Sequence, residues 1–158
     1  MCLIIDNQTF QKDKTKAEAK ELKDRQGSDA DRDALKATFE EMLFEVRCLD
    51  NLPEKKMLRT LNKLAEEDHS KFDCFACCIL SYGEPGVVFG SNGMPVKILS
   101  LTSALKKKNC PTLEGKPKVF FIHACPVVQA EPEDDHGEDV DTAATRITGG
   151  EYGVMLET

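Results

Sequence analysis

The chain has 158 residues, 41% of them hydrophobic and 31% charged, enough for one domain around a single core. No apolar run approaches the roughly 18 residues that a membrane span needs. The opening Met1-Cys2-Leu3-Ile4-Ile5-Asp6 is too short an apolar stretch for a signal peptide and has no basic flank before it. The net charge of −7 belongs almost wholly to residues 131–158, which carry nine acids against one arginine, Arg146. The basic residues of the body form no patch with interleaved aromatics, so no nucleic-acid partner is expected, and no membrane partner either. Lys106-Lys107-Lys108 reads as the solvated end of a helix. Seven cysteines, an odd number with Cys74, Cys77 and Cys78 crowded into one apolar segment, point to reduced thiols in a cytoplasmic protein.

In chain order, Cys2–Ile5 reads as a short buried strand and Gln11–Asp24 as a polar, Lys-rich loop. Ser28-Asp29-Ala30-Asp31 gives a capping-box pattern before Leu35, Phe39, Met42 and Leu43, which recur at helical spacing. Phe44–Leu49 alternates apolar and charged residues as a strand does. Pro53 then precedes a helix with Met57, Leu58, Leu61, Leu64 and Ala65 on one face. Phe72–Leu80 is apolar almost throughout, the signature of a central parallel strand covered on both faces. Val87–Gly90 and Val96–Leu99 flank Asn92-Gly93, a hairpin signal. A short helix over Leu101–Lys108 and a buried strand over Lys118–Ala124 follow. Residues 126–158 dissolve into acids, glycine and threonine and are expected to form a loop or tail.

Strand–helix alternation of this kind predicts an α/β fold, three layers deep (α/β/α), with a mainly parallel central sheet. In such sheets function collects beyond the carboxyl ends of the strands. Two segments are therefore singled out: Ser81-Tyr82-Gly83-Glu84 and Cys125-Pro126.

Those segments carry a family likeness. Gly115–Ile122 followed by His123-Ala124-Cys125-Pro126-Val127 resembles the caspase approach to the nucleophile, whose signature is Gln-Ala-Cys-(Arg/Gln/Gly)-Gly. Asp73–Glu84 resembles the caspase strand that ends in Ser-His-Gly-Glu. Cys2–Asn7 and Arg25–Asp31 match as well, so the resemblance runs in order from residue 2 to about 125. It is to the large subunit of caspases, peptidase family C14, in particular the initiator type of the death-receptor pathway. The resemblance implies Cys125 as nucleophile and the backbone N–H groups of Cys125 and Gly83 as the oxyanion hole. It implies Arg25 as one of two arginines that clamp the substrate aspartate, the planar fork suiting a carboxylate. The second arginine belongs to a small subunit expected after residue 158. Implied partners are that small subunit, a second caspase protomer and a death-signalling adaptor complex. No cofactor and no metal are implied.

Three positions depart from the pattern. Tyr82 stands where the family has its catalytic histidine. A general base works best with a pKa near the operating pH, and an ordinary histidine lies near 6.5 against about 10 for tyrosine, so an ordinary phenol is only about 0.1% ionised at pH 7. General acid–base assistance is worth roughly 10² to 10⁴ in rate. His123 replaces the glutamine of the substrate pocket wall. On a strand it shares a face with Cys125, which leaves a substitute dyad conceivable beside a simple pocket or core histidine. Pro126-Val127 replaces Arg or Gln followed by Gly, removing a backbone donor after the nucleophile. Cys74 and Cys77 form a CxxC without a second pair at zinc spacing, and neither His69 nor His136 suggests a metal site.

The expected organisation is a large-subunit domain over residues 1–125 and an acidic inter-subunit linker over 126–158. Glu138-Asp139-Val140-Asp141 resembles a processing site cut after Asp141, as an acidic solvated linker would also read. The leading functional expectation is a catalytically impaired pseudo-caspase of cell-death signalling that regulates an active caspase by association. The alternative is an active cysteine endopeptidase cleaving after aspartate with an atypical base.

Overall fold

The computed structural model describes residues 1–106 and 108–127 in full and the backbone alone of residues 151–157. The elements are β1 (Cys2–Asp6), α1 (Ser28–Glu41), β2 (Val46–Asp50), α2 (Glu54–Ala65), β3 (Phe75–Glu84), β4 (Val87–Phe89), β5 (Pro95–Lys97), α3 (Ile98–Ser103), a 3-10 turn (Pro111–Leu113), β6 (Lys118–Pro126) and β7 (Glu151–Glu157). No helix among the described residues is long and apolar enough to cross a membrane.

The apolar run of β1 is buried along its whole length because helices cover both of its faces. Leu3 and Ile5 pack with Met57, Leu61 and Leu64 of α2 and with Leu101 of α3. Cys2 and Ile4 point the other way, onto Phe39 of α1. β1 pairs in parallel with β2 on one edge and β3 on the other. β6 pairs in parallel along the opposite edge of β3, from Phe75↔Lys118 to Gly83↔Pro126. The result is the expected three-layer α/β/α arrangement, a mixed sheet whose central strands β2-β1-β3-β6 are parallel while the pairings β3–β4, β4–β5 and β6–β7 are antiparallel. The two layers of helix are unequal: α2 and α3 pack on one face, α1 on the other.

Four local expectations change. The Ser28 segment does not cap α1. Gly27, at φ 79°, is the cap, and the Ser28 hydroxyl is drawn inward by Asp6 and Arg25. The central strand begins at Phe75 and runs through Tyr82 to Glu84, because β6 and then β4 continue to supply backbone partners beyond Leu80. Ile98 and Leu99 belong to α3, not to the second hairpin strand, and the helix stops at Ser103, with Leu105 buried in the turn that follows. Residues 151–157, expected within a loop or tail, form β7, antiparallel to β6 from Lys118↔Glu157 to Ala124↔Glu151. The apolar stretch Val154-Met155-Leu156 is short enough to be lost in the acidic average of its surroundings, yet it supplies a partner for the outer edge of β6.

The β4–β5 hairpin turns at Asn92-Gly93 as its sequence predicts, and it also fastens the Lys-rich loop. Gln11 N–H donates to Ser91 O (2.8 Å), Asp13 N–H to Asn92 O (2.9 Å) and Lys20 N–H to Gly93 O (2.9 Å). Gly93 has φ 75°, and a Cβ there would overlap the Lys20 carbonyl. Gly93→Ala therefore combines a left-handed backbone with a backbone clash. It should cost about 2 kcal/mol or more in urea unfolding of the complete polypeptide. A change below about 0.5 kcal/mol, the level of an ordinary surface substitution, would contradict this packing.

Candidate active site

The site is built by the register of β3 against β6. Tyr82 and Cys125 are direct cross-strand partners, on strands spaced about 4.8 Å apart. Partners in a parallel pair point to one face, so Cys78 with Phe121, Leu80 with His123 and Tyr82 with Cys125 form three successive rows on the α1 side. Tyr82 and Cys125 are both half-buried, at the carboxyl ends of the two strands. The Tyr82 ring meets Phe10 edge-on, with centroids 5.2 Å apart and planes at 63°, an arrangement that favours a fixed ring position. Gly83 is buried where β3, β4 and β6 converge. A Cβ there would stand 2.6 Å from Ala124 Cβ and 2.8 Å from Val87 O, so only glycine lets the three strands approach. β6 extends to Pro126, which takes the last place in its pairing with β3.

Arg25 lies where the chain crosses from the end of β1 towards α1, and it is only 8% exposed. Its backbone N–H donates to Gln8 O (2.8 Å). Its Nη1 donates to Asp6 Oδ1 (3.1 Å), Asn7 O (3.1 Å) and Ser28 Oγ (2.7 Å), and Ser28 in turn donates to Asp6 Oδ1. Asp6 is 1% exposed. Asp6 Oδ2 and Arg25 Nε are buried without a hydrogen-bond partner among the described residues. The ion pair is thus enclosed and uses one nitrogen of the guanidinium and one oxygen of the carboxylate.

His123 is half-buried on β6, two residues before Cys125. Burial pushes its pKa below the usual histidine value, the nearby Arg25 guanidinium pushes it further down, and Asp31 opposes both. The ring borders a groove of about 640 Å³ between α1 and the sheet, lined also by Leu35, Phe39, Met42, Leu80 and Phe121. Arg25, His123, Tyr82 and Cys125 therefore occupy one end of the sheet on one face.

Of the residues singled out in the sequence, Tyr82, Gly83 and Cys125 are brought together by direct strand pairing, and His123 with Arg25 by electrostatic proximity. Asp141 lies outside the described residues. His69 is buried and structural in its contacts: Nε2 donates to Leu64 O at 2.7 Å, closing the end of α2. Cys74 precedes β3 while Cys77 is buried within it, and no group of three or more His, Cys, Asp or Glu among the described residues is arranged to hold a metal. Asp6, Ser28 and Phe10 were not apparent as parts of the site. The one available signal was Asp6, an acid that closes an otherwise apolar buried strand and so demands an internal cation.

The sequence matches the caspase domain family, peptidase C14, over residues 1–152. It is 43% identical over 125 residues to Caspase-8 of Mus musculus, covering 78% of this chain and 26% of that protein. Caspase-8 of Rattus norvegicus is 39% identical over 125 residues, with the same coverage of 78% and 26%. Caspase-3 of Bos taurus is 38% identical over 149 residues, covering 93% of this chain and 52% of that protein. The chain spans about a quarter of the Caspase-8 relatives and about half of Caspase-3. With the sheet order, the paired strand ends and the matched residues in agreement, this chain belongs to the caspase domain family.

Proposed function

We propose that this chain is the large-subunit part of a catalytically impaired caspase, a pseudo-caspase of cell-death signalling that acts by associating with an active caspase. The observation that carries the reading is the β3–β6 register: the side chain directly beside Cys125 is a phenol, not an imidazole. In this reading Cys125 keeps the nucleophile position, and the backbone N–H groups of Cys125 and Gly83 keep the oxyanion position. Arg25 and His123 border the pocket for the substrate side chain. Attack on a peptide carbonyl needs the thiol proton removed and later delivered to the leaving amine. Tyr82, in the histidine place, is poorly suited to both transfers, and no imidazolium stands there to stabilise a thiolate. The retained scaffold would serve binding. Its partners would be a small subunit, a second caspase protomer and an adaptor complex, in the cytoplasm, with processing after Asp141 separating the subunits.

A second reading has one observation in its favour. His123 shares the face of Cys125, and burial with Arg25 nearby favours its neutral, proton-accepting form. It would make the protein an active endopeptidase cutting after aspartate. Two residues of strand separate the backbones by about 6.5 Å, and the ring borders the pocket rather than the expected leaving-group side.

Tyr82→His in the complete polypeptide should raise turnover of an aspartyl fluorogenic peptide by roughly 10² to 10⁴, with the gain lost on Cys125→Ala. A revertant no faster than the unmodified protein would mean that the missing base is not the main defect. Under the second reading His123→Gln would abolish turnover in the unmodified protein; the pseudo-caspase reading expects no such loss.

The titration of His123 is a separate check on the pocket. Its neutral form is favoured by the fold, so the unfolded chain binds more protons as pH falls below the ordinary histidine value of about 6.5. The contribution of His123 to stability is present above that pH and declines as pH falls through the lower folded pKa. Nuclear magnetic resonance should give a midpoint below about 6.5, and a midpoint above it would contradict the dominance of burial and Arg25.

A further inference from the structure

The arginine assigned above to the substrate pocket is already paired with an enclosed acid, Asp6. We propose that Asp6 acts as an internal carboxylate ligand of Arg25 and so weakens the pocket's selection for an aspartate side chain over an uncharged one. The inference rests on the assignment of Arg25 to the substrate side chain and goes beyond it by naming a specificity-determining residue outside that assignment.

The argument is one of donors and charge. An arginine selects a carboxylate by offering two parallel N–H groups and a full positive charge. Here Nη1 is already shared among Asp6 Oδ1, Asn7 O and Ser28 Oγ. Nε is enclosed without an acceptor, so it is not exposed to an incoming ligand. Only Nη2 is left for a substrate, and one nitrogen cannot grip both carboxylate oxygens in the side-on fork. Asp6, 1% exposed and 3.1 Å from Nη1, also cancels the guanidinium charge where screening by water is weakest. A second carboxylate brought to the same guanidinium would meet the first, and like charges sharing a site disfavour ionisation of one of them. Burial and Arg25 lower the pKa of His123, with Asp31 opposing them, so the fold disfavours the positive form that would compensate. An uncharged hydrogen-bonding side chain such as asparagine meets no such penalty.

The test uses the complete polypeptide carrying Cys125→Ala, so that bound peptide is not cleaved, with and without Asp6→Asn. Fluorescence anisotropy compares two labelled peptides that differ only in Asp or Asn at the recognised position. Asp6→Asn should raise the Asp-to-Asn affinity ratio by about tenfold or more, mainly through tighter Asp-peptide binding. Asp6→Ser is measured beside it as a second way of deleting the charge, and thermal melting reports whether each variant is folded. If both peptides bind and the ratio is unchanged in the folded variants, the inference is overturned while the pocket assignment stands. If no protein binds either peptide, the assignment of Arg25 fails and takes the inference with it. If both variants fail to fold where the parent folds, Asp6 serves folding alone and the proposal is likewise overturned.

Discussion

The parallel pairing of β3 with β6 is the constraint on which the site depends. It runs for nine residues, from Phe75↔Lys118 to Gly83↔Pro126, and it fixes which side chains can meet at the carboxyl end of the sheet. A shift of one residue would send Cys125 to the α2 side and bring Ala124 into its place. Two features lock the register there. The alternate residues Phe120, Ile122 and Ala124 are buried in the main core on the other face. Gly83 admits Ala124 at a distance no larger residue would allow. The same geometry that holds Cys125 in position therefore places a tyrosine beside it.

A second set of contacts ties the loops to the sheet below the site. Asn7, fully buried at the end of β1, donates through Nδ2 to Phe89 O (3.0 Å) and accepts from Leu52 N–H (2.8 Å). Asn51, at φ 55°, accepts from Gln8 N–H (2.9 Å) and Thr9 N–H (2.8 Å). Arg25 closes the path by its backbone bond to Gln8 and its side-chain bonds to Asp6 and Asn7. Removing one partner of a buried ion pair strands the other charge, so Asp6 also steadies the fold by holding Arg25.

Much of this was legible in the sequence for physical reasons. Strands buried on both faces strongly favour apolar residues, and Cys2–Ile5 of β1 and the first part of β3 announce themselves by that preference. The hairpin was fixed by Asn92-Gly93, where the backbone needs a positive φ. What escaped notice depended on contacts between distant segments. Ser28 looks like a cap until Asp6, 22 positions away, claims its hydroxyl. The continuation of β3 through Ser81 and Tyr82 becomes evident only when β4 and β6 provide partners. Phe10 lies in an unpatterned stretch, and nothing local to it indicates that it will meet Tyr82. The residues that carry the family likeness were readable because they lie in contiguous motifs; the Asp6–Arg25 pair was not, because tertiary folding creates it.

The most direct measurement of the central claim is the turnover of an aspartyl peptide by the complete, unmodified polypeptide, taken beside mouse Caspase-8 under the same conditions and repeated on Cys125→Ala. The account predicts a rate at least about 10² lower than that of the relative, since the residue paired directly with Cys125 is a tyrosine and not a histidine. A rate equal to the relative's, and abolished by the Cys125→Ala change, would contradict it.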